Sequence, residues 1–235
     1  MKVLVTGGST QVPIDQVRCI SNIFKGKTGN DIAYAFWERK ADVTLITSNL
    51  KTDKFNTAIK VLPYKTYDEL YSLMDEEITL GNYDVVIHSA AVSDYRVEGT
   101  YIGKPYLSED KGQRTLNNNL IRIDASTKIS SDNPELYLKL IPTEKIIDKI
   151  RKDWNFQGIL VKFKLQVGIS NEELQNIALE SMYFSDANII VANCLEWAKE
   201  RAYLISARNP LDVLDVPRNV LPKMLYKEVH KLLSA

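Results

Sequence analysis

The chain has 235 residues, of which 45% are hydrophobic and 26% are charged, a composition typical of a globular protein with a full core. Its 30 basic residues are balanced by 30 acidic residues, which argues against a nucleic-acid-binding protein because such proteins usually carry a basic excess. Only two cysteines and two histidines are present, which argues against a disulfide framework, a zinc site and a histidine-based catalytic triad.

The first 90 residues alternate between short apolar runs and segments with apolar residues three and four apart. The short runs are typical of buried parallel strands, and the longer spacing is typical of helices with one buried face. The predicted elements, in chain order, are a strand over 2–6, a helix over 29–40, a strand over 43–47, a helix over 67–80 and a strand over 83–88. This order predicts an α/β fold, a Rossmann-like, doubly wound and mainly parallel sheet with helices on both faces.

The middle of the chain is different, because Ser93 to Asn119 shows little periodicity and many Gly, Lys, Asp and Asn residues. An irregular stretch of this length inside a domain is usually a functional flap or a disordered segment. The basic stretch from Lys51 to Lys65 is attributed to a solvated surface.

The rest of the chain returns to regular patterns. Ser170 is a predicted helix N-cap because Glu173 follows three residues later. Thr66 or Asp68 is expected to cap the helix over 67–80. The remaining predicted elements are strands over 136–140, 158–163, 188–192, 202–206 and 213–216, and helices over 144–152, 171–184 and 219–233. Neither an internal repeat nor a clear linker is present, so we expect a single domain over residues 1–235.

Three segments carry residues suited to binding an anion or a nucleotide. The first strand ends in Gly7-Gly8-Ser9-Thr10, and two glycines at a strand end can bring backbone N–H groups up to a phosphate. Neither the dinucleotide pattern G-x-G-x-x-G nor a Walker motif is present, so a tight turn without a ligand is the alternative.

The second segment contains Arg18 and Asn22, followed by Lys25, Lys27 and Gly29. Arginine suits a bidentate contact with a phosphate or a carboxylate. Gly29 precedes a predicted helix, whose first amides could face an anion. A basic surface loop is the alternative.

The third segment runs from His88 through Ser89, Ala90 and Ala91 to Asp94, at the carboxyl end of a predicted strand. Ligands of open α/β sheets bind at this edge, and small residues let a ligand approach the backbone. Asp94 can accept a sugar hydroxyl, hold a metal or cap a helix. Further on, Lys128 lies between hydroxyl residues, where a lone lysine is otherwise a solvated surface residue.

These segments, in this order, resemble phosphopantothenoylcysteine synthetase, the phosphopantothenate–cysteine ligase family of coenzyme A biosynthesis. The matching stretches span most of the chain: TGGSTQVPIDQVRCISN, HSAAVSDYR, TKISS, LKLIPTEKII, VKFKLQV and IIVAN. The chain looks like the stand-alone bacterial form, without the fused flavin-dependent decarboxylase. The resemblance implies a homodimer, in which residues 93–140 form the flap and dimerisation segment.

The resemblance implies a two-step reaction. The carboxylate of 4′-phosphopantothenate attacks the α-phosphate of CTP or ATP, with Mg²⁺ expected on the phosphates, and pyrophosphate leaves. The amine of cysteine then displaces the nucleoside monophosphate from the mixed anhydride and forms an amide. Because a carboxylate must approach a polyphosphate, cations and backbone dipoles have to neutralise both.

The resemblance also implies residue roles. Lys128 stabilises the reacting phosphate and carbonyl, and Asn22 holds the acyl-nucleotide for attack by cysteine. Arg18 positions the substrate together with Asn22 and Ala91. The nucleotide-binding set is Gly7, Gly8, Ser9, Thr10, His88, Ser89, Ala90, Asp94, Glu144, Lys145, Ile146, Ile147 and Phe163. Ile146, Ile147 and Phe163 are otherwise plain core residues. No metal ligand is assigned.

The chain departs from the family pattern in two places. Phe24 and Lys25 stand where the family has hydroxyl residues, so Lys25 and Lys27 are expected to supply the anion contact. Ser181 and Ser185 occupy the places of two lysines found in fused bacterial enzymes. Together these changes leave the choice between CTP and ATP open.

Two other functions fit the same fold. An NAD(P)-dependent reductase is disfavoured because the G-x-G-x-x-G pattern and a Tyr-x-x-x-Lys pair are missing. A non-catalytic nucleotide- or flavin-binding module would bind a triphosphate without consuming it. No signal-peptide pattern is present and no apolar run approaches the ~20 residues that span a bilayer, so we expect a cytoplasmic protein without a membrane partner.

Overall fold

A computed structural model of the protein describes residues 1–49, 59–110 and 113–234. The chain divides into two units. The first, called the sheet unit, contains Met1–Thr10, Ile23–Val92 and Lys145–Ala235, and the second, called the hairpin unit, contains Gln11–Asn22 and Ser93–Glu144. The single domain over 1–235 stays a prediction.

The described elements follow one another along the chain as strands with interspersed helices. They are β1 (Lys2–Gly7), β2 (Gln11–Pro13), β3 (Cys19–Ser21), α1 (Lys27–Trp37), β4 (Asp42–Thr47), β5 (Lys60–Pro63), α2 (Tyr67–Leu80), β6 (Val85–His88), β7 (Tyr95–Asp110), β8 (Gln113–Ile123), β9 (Tyr137–Pro142), α3 (Ile146–Lys152), β10 (Ile159–Gln166), α4 (Asn171–Phe184), β11 (Ile189–Cys194), β12 (Arg201–Ser206), β13 (Asn209–Pro217) and α5 (Leu221–Leu233). None of the helices in this described part is long and apolar enough to cross a bilayer.

The sheet unit is built on eight strands in the order β13-β12-β11-β10-β6-β1-β4-β5. The six strands from β11 to β5 are parallel, and β12 and β13 run antiparallel at one edge. From β1 the chain continues outward to β4 on one side and later to β6 on the other. The order therefore reverses between β1 and β6, which confirms the predicted Rossmann-like, mainly parallel sheet.

Helices cover both faces of this sheet, as predicted. Side chains of β1 alternate between the two faces: Leu4 packs in one apolar cluster, and Val3 and Val5 pack in the other. The cluster that contains Leu4 also holds buried residues of α2, α3 and α4, and the other holds buried residues of α1 and α5, such as Phe36 and Leu225. The predicted doubly wound architecture follows from these two cores.

The hairpin unit consists of strands with antiparallel pairing. β7 and β8 pair over their described lengths, from Thr100 opposite Ile123 outward, and β9 pairs with the first part of β7. The alternative of a disordered segment over 93–119 is wrong for the described residues, which form paired strands, and the functional flap stays a prediction. These strands lack apolar periodicity, and their backbone hydrogen bonds come from partner strands rather than from a local pattern.

Most element boundaries agree with the sequence pattern to within a few residues. α2 and α4 have the predicted bounds, and the hydroxyl oxygens of Thr66 and Ser170 accept the N–H groups of Glu69 and Glu173 as caps. α1 spans Lys27–Trp37 rather than 29–40, because Gly26 takes a left-handed φ of 78° as its N-cap. α3 and α5 each begin two residues later than predicted, and β5 was not predicted.

Candidate functional site

The carboxyl ends of β1 and β6 meet where the strand order reverses. The Ala91 N–H donates to the Gly8 carbonyl over 2.8 Å, and the Thr10 N–H donates to the Ala91 carbonyl over 3.3 Å. Ser9 and Ala91 also form a parallel bridge. The structure thus brings the predicted segments 7–10 and 88–91 together at the edge where open α/β sheets bind ligands.

Glycines at this edge allow the start of α1 to lie against the end of β1. A Cβ on Gly26 would lie 2.3 Å from the Gly8 nitrogen, and a Cβ on Gly29 would lie 2.7 Å from the Gly7 Cα. The Ser9 N–H donates to the Ser48 hydroxyl over 2.9 Å, and the Thr10 N–H donates to the Ala91 carbonyl. The glycines therefore serve close backbone packing, rather than directing the N–H groups of Ser9 and Thr10 toward a phosphate.

The N-terminus of α1 offers backbone N–H groups that can donate to an anion in place of those of Ser9 and Thr10. No side chain caps this end and its first turn holds no acidic residue, so the backbone N–H groups and the helix dipole favour an anion there. Gly29 lies inside the helix, which corrects the expectation that it precedes the helix. Arg218 reaches the same end, where its Nη2 donates to the Thr28 hydroxyl over 2.6 Å.

His88, the last residue of β6, is buried and hydrogen-bonded. The Thr6 hydroxyl lies 3.0 Å from its Nδ1 and accepts the N–H groups of Ser89 and Ala90, each over 3.1 Å. Burial, with a smaller effect of the nearby Lys162 charge, lowers the pKa of His88 to about 4. The imidazole is therefore neutral at physiological pH.

Of the predicted nucleotide-binding residues at α3 and β10, one lies at a helix end and the others lie in or against the apolar clusters. Lys145 is the N-cap of α3, and its carbonyl accepts the Asp148 N–H over 3.0 Å. Ile146 is only 1% exposed and Ile147 packs beside the same apolar cluster, while Phe163 packs against the cluster on the other face. Ile146 is therefore a core residue, and the nucleotide contacts of this segment stay a prediction.

In the hairpin unit, a single buried carboxylate organises the loop that carries Arg18. Asp15 Oδ1 accepts the N–H groups of Val17 and Arg18 over 2.8 and 2.7 Å. Its Oδ2 accepts from the Arg18 guanidinium through Nε at 3.0 Å and Nη2 at 2.6 Å. Arg18, together with these backbone bonds, holds the pKa of the Asp15 carboxyl far below its ordinary value.

The same pair clamps a distant part of the chain. Asp15 Oδ2 accepts the Ile129 N–H over 3.1 Å, and Arg18 Nη2 donates to the Ile129 carbonyl over 2.9 Å. Because Ile129 follows Lys128, these two bonds place the predicted catalytic lysine beside the Arg18 loop. Lys128 is exposed, and 42% of the Arg18 side chain remains exposed, so both can contact a ligand.

The other predicted residues of this unit lie at strand ends. Asn22 directly follows β3, and Asp94 directly precedes β7. The Asp94 carbonyl accepts the Thr143 N–H over 2.9 Å, which joins the start of β7 to the residue before Glu144. The interpretation of Asp94 as a helix cap is wrong, because a strand follows it.

Sequence patterns gave no signal for two further features. The first is the role of Asp15, because nothing in the sequence indicates that its carboxylate binds Ile129, 114 residues further along the chain. The hairpin unit also contains an open cavity of about 870 Å³, lined by Pro13–Gln16, Val97–Thr100 and Arg122–Ser126. Its size is that of a small-molecule site.

The described residues contain no group of three or more His, Cys, Asp or Glu side chains that could hold a metal ion. The described residues therefore do not form a dedicated Mg²⁺ site by themselves. Mg²⁺ bound mainly to substrate phosphates is the common arrangement in phosphoryl-transfer sites.

Comparison with known proteins gives consistent matches. Residues 1–120 match the family model described as the DNA/pantothenate metabolism flavoprotein C-terminal domain. The Coenzyme A biosynthesis bifunctional protein CoaBC of Thermococcus kodakarensis is 32% identical over 236 residues, covering 99% of this chain and 51% of the relative. Its counterpart in Haemophilus influenzae is 40% identical, covering 100% of this chain and 47% of the relative.

Among solved structures, the DNA/Pantothenate Metabolism Flavoprotein from Streptococcus pneumoniae superposes with a TM-score of 0.77 at 27% identity, with 99% of each chain covered. The chain thus spans about half the length of the curated relatives it matches, and the full length of this solved structure.

Proposed function

The chain belongs to the DNA/pantothenate metabolism flavoprotein C-terminal domain family, and on that premise we propose that it is a phosphopantothenate–cysteine ligase of coenzyme A biosynthesis. The observation that carries the proposal is the Asp15–Arg18 clamp on Ile129, which organises Arg18 and Lys128 together. A cation pair of this kind suits a reaction between a carboxylate and a phosphate.

In the first proposed step, a carboxylate oxygen of 4′-phosphopantothenate attacks the α-phosphorus of CTP or ATP. The bond from the α-phosphorus to the bridging oxygen breaks and pyrophosphate leaves. In the second step, the cysteine amine attacks the acyl carbon, and the nucleoside monophosphate leaves with the former carboxylate oxygen. The amine proton is released and 4′-phosphopantothenoylcysteine is formed.

The sheet unit is proposed to bind the nucleotide. Its carboxyl edge offers the uncapped N-terminus of α1 to the phosphates, with Arg218 adding positive charge at the same helix end. The side chains of Ser89, Ala90 and Ala91 at the neighbouring strand end are small, which lets a nucleotide lie close to this strand end.

The hairpin unit is proposed to supply the groups that act on the carboxylate. Lys128 stabilises the negative charge that develops on the phosphate and the acyl oxygen, and Arg18 orients the carboxylate. Asn22 holds the acyl-nucleotide while cysteine attacks. We propose that Asp94 and Ala91 contact the nucleotide and the substrate, respectively.

We propose that the protein acts as a homodimer and uses CTP with Mg²⁺. The homodimer, with residues 93–140 as flap and dimerisation segment, follows from the family resemblance, as do CTP as nucleotide and Mg²⁺. We propose that Mg²⁺ binds to the phosphates of the nucleotide. The cytoplasm is the proposed location.

The test is an assay of pyrophosphate release by the purified chain with CTP or ATP, in which phosphopantothenate and cysteine are omitted in turn. We expect pyrophosphate only when phosphopantothenate and a triphosphate are present, and amide only when cysteine is added. Release that ignores phosphopantothenate would contradict the ligase. Triphosphate binding without turnover would indicate a binding module, and tight binding of NADPH, followed by its fluorescence, would indicate a reductase.

A further inference from the structure

The protonation of His88 can be deduced from the hydrogen bonds of Thr6. A hydroxyl has one hydrogen to donate and two lone pairs that accept. The fully buried Thr6 hydroxyl accepts two N–H groups, those of Ser89 and Ala90, so both lone pairs are used. Its hydrogen must therefore be donated to His88 Nδ1, 3.0 Å away. Nδ1 carries no proton, and the proton of the neutral ring lies on Nε2.

A second buried group acts against a positive charge on this ring. Lys162 of β10 lies directly opposite His88 in the sheet register and is 6% exposed. Its Nζ donates to the Ser181 carbonyl over 2.8 Å and to the Ser185 hydroxyl over 2.9 Å. Within the described part of the chain no carboxylate lies within ion-pair distance of Nζ, so its charge is not cancelled locally.

The wider charge environment of Lys162 is mixed. Burial lowers its pKa to about 8, Asp148 opposes this shift, and Lys164 and Lys145 add to it. A lysine with this value is still mainly charged near neutral pH, and its charge disfavours a second proton on His88.

We infer that Thr6 and Lys162 hold His88 as a neutral imidazole with its only proton on Nε2, and that this N–H is a fixed donor to an acceptor on the nucleoside part of the nucleotide. The inference rests on the proposed function for its ligand. No protein acceptor for Nε2 is found among the described residues, so this donor is open to a ligand. Because the ring carries no charge, it distinguishes acceptor atoms rather than attracting phosphates. Lys162 is a positioning residue, since it acts through His88.

The ring state is measured by imidazole ¹⁵N NMR, because the chain has only two histidines. His230 is exposed, and a His230→Gln variant assigns its signals. We expect His88 to show a protonated Nε2 and an unprotonated Nδ1 that do not change between about pH 5.5 and about pH 8. Thr6→Ser should keep this spectrum, whereas Thr6→Val should give a mixture of the two His88 tautomers. Lys162→Met should raise the pH at which His88 gains a second proton. A proton on Nδ1 in the wild-type protein would overturn the inference.

The donor role is measured by calorimetric binding of CTP, ATP and inorganic tripolyphosphate to two His88 variants. The amide nitrogen of glutamine lies near the place of Nε2, and that of asparagine lies near the place of Nδ1. We expect His88→Gln to bind the nucleotides nearly as the wild type does. His88→Asn should weaken nucleotide binding about tenfold, the effect of one lost hydrogen bond, and leave tripolyphosphate binding unchanged.

Three outcomes would overturn the donor role. Equal losses in both variants, or an equal loss for tripolyphosphate, would show that His88 does not act as a nucleoside-directed Nε2 donor. If the wild-type protein binds neither nucleotide, the donor role fails together with the ligase proposal. Normal nucleotide binding combined with a proton on Nδ1 overturns the inference and leaves the ligase proposal standing.

Discussion

The Asp15 carboxylate accepts the backbone N–H of Ile129 over 3.1 Å, although the two residues are 114 positions apart in the chain. The same carboxylate holds the Arg18 guanidinium, which in turn donates to the Ile129 carbonyl. Both backbone groups of Ile129 are thus held by one ion pair. The position of Lys128, which precedes Ile129, depends on this arrangement.

Asp15→Asn should lower kcat/KM by ~100-fold, the cost typical of a small misplacement of reacting groups. Asparagine keeps the size of the side chain but loses the charge and one acceptor, so it cannot accept the backbone N–H groups and the guanidinium together. The measurement is steady-state amide formation, together with urea unfolding. Asp132→Asn is the control, because Asp132 is an exposed carboxylate that bonds only locally with Ser130 among the contacts described. Equal activity of both variants would contradict a positioning role for Asp15.

Lys128→Gln should reduce turnover by roughly 10²–10³-fold, because a charge that stabilises the reacting phosphate is removed. Lys128 is exposed, so the free energy of unfolding should stay within about 0.5 kcal/mol of the wild type. Lys227→Gln, an exposed lysine on α5, is the matched control and should leave turnover unchanged. Full turnover by Lys128→Gln would remove this lysine from the proposed chemistry.

Gly26→Ala should destabilise the fold far more than Gly168→Ala. Both glycines have a left-handed φ, 78° and 68°, so an alanine costs about 1 kcal/mol of strain at either position. A Cβ at Gly168 meets nothing within 4 Å, whereas one at Gly26 would lie 2.3 Å from the Gly8 nitrogen. We expect Gly26→Ala to cost at least ~3 kcal/mol in urea unfolding, because overpacking adds to the strain. Similar costs for both variants would contradict the close approach of α1 to β1.

His88 should make the stability of the protein depend on pH in the acid range. Burial lowers its pKa from 6.5 to about 4, so between these values the unfolded chain binds the proton and the folded chain does not. The stabilisation by the neutral ring is therefore complete above about pH 6.5 and is lost as the pH falls toward about 4, by roughly 3 kcal/mol in total. His88→Gln should remove this component from the pH profile of urea unfolding, and His230→Gln should retain it. Identical profiles for the wild type and His88→Gln would contradict a buried neutral His88.

The sequence predicted those elements whose signals are local. α2 and α4 were predicted with the bounds observed because each combines an apolar stripe with a hydroxyl cap, Thr66 and Ser170. β7 and β8 were missed because their strands have no apolar alternation and are stabilised by pairing with each other. β5 was missed because its short apolar run, Val61-Leu62-Pro63, lies inside the basic stretch from Lys51 to Lys65.

The site shows the same division. Gly8 and Ala91 lie next to each other because both follow parallel strands, which end at the same edge of the sheet. The apolar runs in the sequence are sufficient to predict these strands. The clamp on Ile129 was not predictable, because its acceptor and donor are backbone groups 111 and 114 residues away from their partners. Lys162 belonged to a predicted strand, yet nothing in the pattern indicated that a charged residue would be buried beside His88.

In the proposed reaction, the carboxylate is activated when one of its oxygens bonds to the nucleotide α-phosphorus. Oxygen-isotope transfer tests this step most directly. Phosphopantothenate labelled with ¹⁸O in its carboxylate is incubated with the chain, CTP or ATP, and cysteine, and the products are analysed by mass spectrometry. One ¹⁸O atom should appear in the nucleoside monophosphate, and the amide should keep the other. Amide formation with unlabelled nucleoside monophosphate, or with the label in inorganic phosphate, would contradict an acyl-nucleotide intermediate.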